Sequence, residues 1–288
     1  MCEEALQPLP VERWNDLKAV FKKDCPRSIS GYGVLDVEEI IIKNGADYGF
    51  KAYVPYGDLS NGLVGINVKG AFYEIIIQTP KDDTADLVNA LRHTKLINWQ
   101  HQLEIPFSPP HVVDALKSIL HEKRIFISRI SITETFYIED NTPYFDVELP
   151  PDLSFELMTE KYAQISNDTW PHKHTGSIWY YQLLIKAKLG YGLFQKGELI
   201  AWCYVKEMGG LGHLYTLEEH RRKGYGELVL KLISNTLRRD GRVVFAFCVE
   251  GNIAARNLYQ KLGFTSGGTL QWCNIKPIEM NFSNIESE

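Results

Sequence analysis

The chain has 288 residues, 44% of them hydrophobic, and a formal net charge of -5 at pH 7. This length suits one large domain or two domains of ordinary size, and the acidic balance argues against a nucleic-acid-binding surface. No apolar run approaches the roughly 20 residues that a membrane span needs, so no membrane segment is predicted. The five cysteines show no C-x-x-C spacing, and we therefore predict neither a disulfide framework nor a metal site.

The sequence begins with MCEEALQPLPVERW, which is acidic and lacks both the apolar segment of a signal peptide and the Arg-rich pattern of a transit peptide. We therefore expect a cytoplasmic protein, with a mitochondrial location as the alternative.

The first half of the sequence is typical of an α/β unit. Trp14, Leu17 and Phe21 share one helical face, and further helices are predicted for TADLVNALRH and for residues 112–120. Strand-like runs are VLDVEEIII, YGFKAYV, GLVGINV, FYEIIIQ and RIFISRISITETFYI. None of these segments carries a catalytic signature.

Residues 140–152, DNTPYFDVELPPD, combine prolines and acidic residues without a period and are predicted to be a linker. We therefore expect two domains, at residues 1–145 and 146–288. The second opens with the strand LSFELMT, followed by helices in EKYAQISNDTW and SIWYYQLLIKAKL that flank the loop WPHKHTG. A hairpin is predicted from GYGLFQ and ELIAWCYVKE.

The most informative pattern is a predicted strand at residues 211–217, a basic and glycine-rich turn, and an amphipathic helix with Tyr225, Val229 and Leu232 on one face. The first turn of a helix offers unpaired backbone N–H groups and the positive end of the helix dipole, and glycines let an anion approach closely. The turn therefore predicts a phosphate-binding site. Its basic and glycine residues are Arg221, Arg222, Lys223, Gly224 and Gly226.

This turn is neither a Walker A loop nor a dinucleotide fingerprint, since Val229 stands where a third glycine is needed. It has the form [RQ]-x-x-G-x-[GA], and the predicted strand at 243–249 is followed by N-x-x-A-x-x-x-Y-x-x-x-G-F, from Asn252 through Tyr259 to Phe264. The two motifs resemble those of the GNAT superfamily of acyl-CoA-dependent N-acyltransferases. The alternative is that the glycines end ordinary turns and Tyr259 is a core aromatic.

Three shorter segments resemble the glycine N-acyltransferase-like (FR47-like) family: LINW at 96–99, TLEEHRRKG at 216–224 and QW at 271–272. The resemblance implies an α/β GNAT fold with a mixed sheet for the catalytic domain, residues 146–288. It also implies that residues 1–145 are a degenerate GNAT-like domain.

The resemblance further implies which residues form the site. The fourth and fifth strands of the catalytic domain are expected to splay apart and admit the pantetheine arm of an acyl-CoA, whose pyrophosphate lies on the glycine-rich turn. Tyr259 would protonate the departing thiolate, since a phenol has a pKa near 10, or would only orient the sulfur. Residues expected to contact the acyl-CoA are Tyr215, Thr216, Leu217, Arg221, Arg222, Lys223, Gly224, Tyr225, Gly226, Asn252 and Tyr259. Residues expected to contact the acceptor are Trp170, His172, His174 and Trp179.

The general base is the position where the sequence departs from the family. In that family a glutamate on the fourth strand, fourteen residues before the first motif glycine, has this role, and here that position is Gly210. Glu207 could serve after a register shift. His213 has a suitable ordinary pKa near 6.5, but its odd offset from Gly210 predicts the opposite strand face. A water chain could also remove the proton, or the acceptor could arrive already neutral.

The predicted function is transfer of an acyl group from acetyl-CoA or another acyl-CoA to a primary amine, such as a small amino acid. The partners expected are therefore acyl-CoA and a small amine, without nucleic acid or membrane. A GNAT-fold protein that binds CoA without turnover is the alternative. Protein acetylation would require an acidic groove for a basic peptide.

Overall fold

The computed structural model describes residues 4–69 and 72–278. In these ranges the strands are β1 (Leu6–Pro8), β2 (Lys51–Pro55), β3 (Leu63–Lys69), β4 (Phe72–Gln78), β5 (Leu103–Ser108), β6 (Ile125–Tyr137), β7 (Leu153–Leu157), β8 (Gly190–Gln195), β9 (Glu198–Val205), β10 (Leu211–Thr216), β11 (Phe245–Val249) and β12 (Thr265–Pro277). The α-helices are α1 (Trp14–Lys23), α2 (Ile29–Lys43), α3 (Ala85–His93), α4 (Pro110–Glu122), α5 (Ala163–Asp168), α6 (Ile178–Lys186), α7 (Tyr225–Arg239) and α8 (Ile253–Lys261).

The chain divides into two compact units, and neither is a continuous segment. Unit 1 comprises the described residues of Met1–Phe21, Gly49–Thr133 and Thr269–Glu288. Unit 2 comprises Lys22–Tyr48 and Glu134–Gly268. The long strands β6 and β12 each contribute residues to both units.

Unit 1 is an α/β unit in which neighbouring strands follow the order β1-β2-β3-β4-β5-β12-β6. The first four strands pair antiparallel, β4 pairs with β5 in parallel, and β5 pairs antiparallel with β12. Apolar residues of α3 and α4 pack against inward-facing residues of the strands, among them Val64, Ile75, Ile77 and Ile105. Burial of these side chains is the main stabilising contribution to this unit.

Unit 2 orders its strands β6-β11-β10-β9-β8-β7. Strands β7 to β10 are antiparallel neighbours, whereas β10 pairs with β11 in parallel. The residues Trp202 and Tyr204 of β9 are fully buried, and the ring of Tyr204 packs against Tyr181 of α6. Helix α7 lies on the opposite face, where a Cβ on Gly226 would approach Leu214 and Thr216.

The sequence prediction for VLDVEEIII was wrong, because residues 34–42 lie inside α2 and not in a strand. Its β-branched residues favour strands, but Val34, Val37 and Ile41 repeat at helical spacing and are fully buried in unit 2. Packing of this face thus overrides the local propensity.

The division into domains at residue 145 stays a prediction, and it differs from the two compact units. The predicted boundary falls inside unit 2, which also takes α2 from the amino-terminal half, while most of β12 belongs to unit 1.

In the described part of the chain, no helix combines the length and apolar character required to cross a membrane.

Candidate functional site

Strands β10 and β11 diverge soon after they begin. The two strands share a single paired position, Leu211 with Ala246, although each continues beyond it, to Thr216 and to Val249. The expected splay of the fourth and fifth strands of the catalytic domain is therefore present. Diverging strands leave backbone N–H and C=O groups facing the gap, and such groups can pair with the amides of an extended ligand.

The strand β10 leads through a short turn into α7. The turn passes through the left-handed backbone region at Arg222 (φ 61°) and Gly224 (φ 82°), and α7 begins at the next residue. No side chain caps this helix end, so its first N–H groups face outward from a 15-residue helix. These N–H groups and the exposed side chains of Arg222 and Lys223 form a surface that suits a phosphate group.

Arg221 braces this turn against β10. Its Nε donates to the carbonyl oxygen of Thr216 at 3.1 Å, and its guanidinium lies 5.2 Å from the ring centroid of Tyr215. One guanidinium nitrogen lies 3.4 Å from the carboxylate of Glu218. The side chain of Arg221 therefore holds the end of β10 and the turn together.

Tyr259 of α8 is buried between Phe136 and Phe264, with ring centroids 5.5 and 5.4 Å away. Burial raises the pKa of its hydroxyl, and the nearby thiols of Cys203 and Cys248 raise it further. Cys248 follows two residues after the last paired position of β11. The phenol thus stays protonated at neutral pH beside the place where the two strands part.

Asn252 is the N-cap of α8. Its Oδ1 accepts a hydrogen bond of 3.1 Å from the backbone N–H of Ala255, and a cap of this kind contributes about 1 kcal/mol to helix stability. The structure therefore gives Asn252 a role in fixing α8, and its predicted contact with acyl-CoA stays a prediction.

Gly210 stands where the resemblance predicts a glutamate, and an aromatic ring fills the adjacent space. The ring of Phe247 lies 3.0 Å from the position that a Cβ on Gly210 would take. Gly210 therefore cannot supply a base.

The prediction that His213 faces away from Gly210 was wrong. The pairing of β10 with β9 shifts between Gly212 and Tyr215, and His213 lies in the left-handed region at φ 50°. This β-bulge adds one residue to β10. His213 therefore lies on the same face of the sheet as Tyr215, and on the same face as Tyr204, which is paired with Gly212. Gly210 shares that face because it lies two residues before Gly212.

His213 lies in a set of aromatic rings that we call the aromatic cluster. Its ring is 5.1 Å from that of Tyr181 and stacks on Tyr204 at 6.0 Å. Burial lowers the pKa of His213 to about 3, and the positive charge of Lys206 acts in the same direction. His213 is therefore neutral at physiological pH. The aromatic cluster consists of Trp170, Tyr180, Tyr181, Trp202, Tyr204 and Tyr215.

Lys206 and Glu207 follow directly after β9 and reach the same cluster. The ammonium group of Lys206 lies 4.1 Å from the ring centroid of Tyr180 and 5.2 Å from that of Trp170. The carboxylate of Glu207, which is buried, accepts a hydrogen bond from the hydroxyl of Tyr180. Glu207 thus belongs to this site, whereas Lys206 could not be predicted from the sequence because no motif marks it.

The predicted acceptor residues divide into two groups. Trp170 belongs to the aromatic cluster, and the rings of His172 and His174 lie 6.0 and 6.3 Å from it. Trp179 instead makes an edge contact with Tyr48 at 5.8 Å and is 39% exposed. The structure therefore brings Trp170, and not Trp179, into ring contact with the cluster beside His213.

Comparison with known proteins agrees with this fold. Residues 190–273 match the model of the FR47-like protein family. Over 99 residues the chain is 29% identical to the uncharacterized N-acetyltransferase YobR of Bacillus subtilis, a match that covers 33% of this chain. This chain thus spans 40% of the length of YobR.

Solved structures resemble the chain over nearly its whole length. A crystal structure of a Drosophila protein has a TM-score of 0.81 at 19% identity, covering 96% of this chain and 99% of that one. A GNAT acetyltransferase from Colwellia psychrerythraea has a TM-score of 0.51 at 13% identity, with 94% and 99% covered. These likenesses concern the fold and confirm the predicted GNAT architecture. Residues 190–273, which run from β8 into β12, are thus similar to FR47-like proteins, and the chain as a whole has a fold like that of a GNAT acetyltransferase.

Proposed function

We propose that the chain transfers an acyl group from an acyl-CoA to the nitrogen of a small primary amine, such as an amino acid. The observation that carries this proposal is the divergence of β10 and β11 beyond Leu211 and Ala246, beside a helix whose amino terminus is uncapped. A gap of this kind suits the extended pantetheine arm, and the helix terminus suits the pyrophosphate.

The chemistry requires a new C–N bond, a broken C–S bond and two proton movements. The amine attacks the thioester carbonyl carbon, and backbone N–H groups at the gap stabilise the oxyanion that forms. When the C–S bond breaks, the nitrogen releases one proton to solvent, and the Tyr259 hydroxyl donates its proton to the thiolate and regains one from solvent. The products are an amide and free CoA thiol.

Thiol release by the purified protein tests this proposal. Acetyl-CoA and benzoyl-CoA are each offered with a panel of amino acids and small amines, and CoA affinity is measured on the same sample. Thiol release that depends on the acceptor is the expected result. Absence of thiol release with every acceptor would contradict the proposal, whether or not CoA binds.

A matched pair of glycine variants tests the phosphate site. Gly224 and Gly197 both have positive φ values, 82° and 86°, and neither would meet a neighbour within 4 Å if it carried a Cβ. Leucine therefore imposes a similar backbone strain at each position. Gly224→Leu should abolish CoA binding while Gly197→Leu, in the β8–β9 turn, retains it. Equal affinities would reject the phosphate site.

One observation favours a second function, that of a protein which binds CoA without turnover. The position of the family's glutamate is Gly210, beside the ring of Phe247. Tight CoA binding without thiol release from any acceptor would support this alternative.

A further inference from the structure

The hydrogen bonds of Thr169 fix the tautomer of His213. The Thr169 hydroxyl donates its only hydrogen to the backbone, with the carbonyl oxygen of Ile165 at 2.8 Å. The hydroxyl oxygen of Thr169 lies 3.2 Å from His213 Nε2. Since its hydrogen is already used, this oxygen can only accept a hydrogen bond from Nε2. We therefore assign the hydrogen to Nε2 and the lone pair to Nδ1.

Nδ1 of His213 is one of three buried polar atoms on this face that have no hydrogen-bond partner among the described residues. The others are the hydroxyl of Tyr181 and the indole nitrogen of Trp202, both in residues with no exposed surface. Buried polar atoms are normally paired. Three such atoms lie within one set of touching rings, and a polar group of a substrate would supply the partner that they lack.

The charges around His213 can be traced through each element that packs against it. Helix α6 contributes Tyr180 and Tyr181, and β9 contributes the buried hydroxyl of Tyr204, which bonds to Ser166 of α5 at 2.6 Å. The turn after β9 contributes the cation of Lys206 and the carboxylate of Glu207. The carboxylate of Glu207 accepts a hydrogen bond from the hydroxyl of Tyr180. At His213 itself, the charge that acts is that of Lys206.

A substrate amine beside His213 would meet the same surroundings. Burial and a nearby ammonium group both disfavour the charged form of an amine, and adjacent cations activate lysine nucleophiles in this way. A site beside the Lys206 cation therefore needs no carboxylate base to obtain a neutral nucleophile. This accounts for the loss of the family's glutamate at Gly210.

We propose that the acceptor binds as a neutral, weakly basic amine against His213 Nδ1, and that the Lys206 ammonium replaces a carboxylate base by excluding the charged form. This inference rests on the proposed acyl transfer. His213 accepts a hydrogen bond from the amine and orients the nitrogen lone pair towards the thioester. The nitrogen passes its surplus proton to Nδ1 late, as the C–S bond breaks and the nitrogen becomes an amide, when even a weak base can accept it.

The substrate class follows from this arrangement. An amine beside a carbonyl group, as in an amino-acid amide, has a pKa of about 8, whereas an alkylamine resembles the lysine side chain at about 10.4. The amino-acid amide therefore has a substantial neutral fraction at physiological pH, and the alkylamine does not. We therefore expect the site beside His213 to select amines next to a carbonyl group, such as amino-acid amides.

The first test uses the unaltered protein. Thiol release from acetyl-CoA is measured at pH 7 with glycinamide and with n-butylamine, which have equal numbers of heavy atoms. We expect kcat/KM to be more than tenfold higher for glycinamide, in line with its larger neutral fraction. A ratio near one, or a preference for butylamine, would overturn the inference.

The second test is the pH dependence of kcat, which reports groups in the enzyme–substrate complex. Lys206→Met should move the acid limb of this profile upward by about one to three pH units, while Lys206→Arg should keep its position. A merely structural role of Lys206 would lower activity without moving the limb. An unmoved limb in Lys206→Met, or a limb that disappears in Glu207→Gln, would assign proton removal elsewhere and overturn the inference.

CoA affinity measured for every variant separates this inference from the proposed function. Thiol release with a pH response other than that expected overturns only the role of Lys206. Absence of thiol release from all acceptors overturns the acyl transfer itself, and the inference with it.

Discussion

Burial keeps the hydroxyl of Tyr259 protonated. The packing of its ring does not require that hydroxyl. Its ring contacts Phe136 and Phe264, and a phenylalanine ring can keep both contacts. Tyr259→Phe should therefore retain CoA affinity and lower turnover by about a hundredfold, because the thiolate loses its proton donor. Steady-state thiol release measures this.

The control for this substitution is Tyr191→Phe, another buried tyrosine that stacks on Phe155 of β7 and lies outside the proposed site. It should leave turnover unchanged. If Tyr259→Phe were equally active, Tyr259 would be a packing residue, as the sequence pattern also allows.

His213 should also make the fold sensitive to acid. Its pKa is lowered from the ordinary 6.5 to about 3 in the folded protein, so below pH 6.5 the unfolded chain binds a proton that the folded chain does not. Stability is therefore lost as the pH falls from about 6.5 towards 3. Urea unfolding at pH 7 and at pH 5 should show a smaller loss for His213→Gln than for the unaltered protein. Equal losses would mean that His213 is not buried as described.

At the level of elements, α2 is fixed by a close contact with the turn after β9. A Cβ on Gly209 would lie 2.6 Å from the backbone of Gly33, and Gly209 also has φ 84°. Gly33 in turn has no room for a side chain beside Phe245. The turn that carries Lys206 and Glu207 is therefore held by backbone-to-backbone packing against α2.

Gly209→Ala should destabilise the fold by a left-handed backbone penalty of about 1–2 kcal/mol and by overpacking of about 1–3 kcal/mol. Gly241→Ala, at φ 72° with no neighbour within 4 Å, should show only the backbone penalty. Denaturant unfolding of both variants gives the difference. Equal destabilisation would mean that the Gly33 contact does not constrain the turn.

The sequence predicted those elements whose pattern is local. The strand β10, the basic turn and α7 were recognisable because glycine, charge and helical period coincide within about 30 residues. The helix α2 was missed because Val34, Val37 and Ile41 favour strands until their shared burial is known. The β-bulge at His213 has no local signal, so the face of His213 was predicted wrongly.

The aromatic cluster could not be predicted from the sequence for a different reason. Its rings come from α6, β9, β10 and the loop that begins at Trp170, and only the tertiary fold brings them around Lys206 and His213. The turn before α7 could be placed from the sequence because its glycines and basic residues form one contiguous motif. The acceptor side has no such shared motif.

At the scale of the whole molecule, the two units differ in how the ends of their parallel strand pair are arranged: β4 and β5 in unit 1, and β10 and β11 in unit 2. In unit 1 the ends of β4 and β5 are held together by side chains, Gln78 Nε2 to the Phe107 carbonyl oxygen and Ser108 Oγ to that of Ile77, both at 2.8 Å. The helix that follows, α3, carries Asp86 in its first turn and is not preceded by a basic, glycine-rich turn. The described residues of unit 1 therefore lack both features that suit acyl-CoA in unit 2.

We accordingly expect one CoA to bind per chain. Isothermal titration calorimetry should give a stoichiometry of one, and Gly224→Leu should remove all of the binding because the described part of unit 1 offers no second site. A stoichiometry of two, or residual binding in Gly224→Leu, would show that unit 1 also binds CoA.

The interleaving of the two units has a consequence for the order of events during protein synthesis. Unit 2 requires α2 near the amino terminus and continues to Gly268, while unit 1 begins with β1 and requires β12, which ends at Pro277. The core of unit 2 cannot close before Phe264 has emerged from the ribosome, and that of unit 1 cannot close before Ile275 has emerged. We therefore expect a nascent chain that exposes apolar surface and depends on chaperones until β12 has emerged.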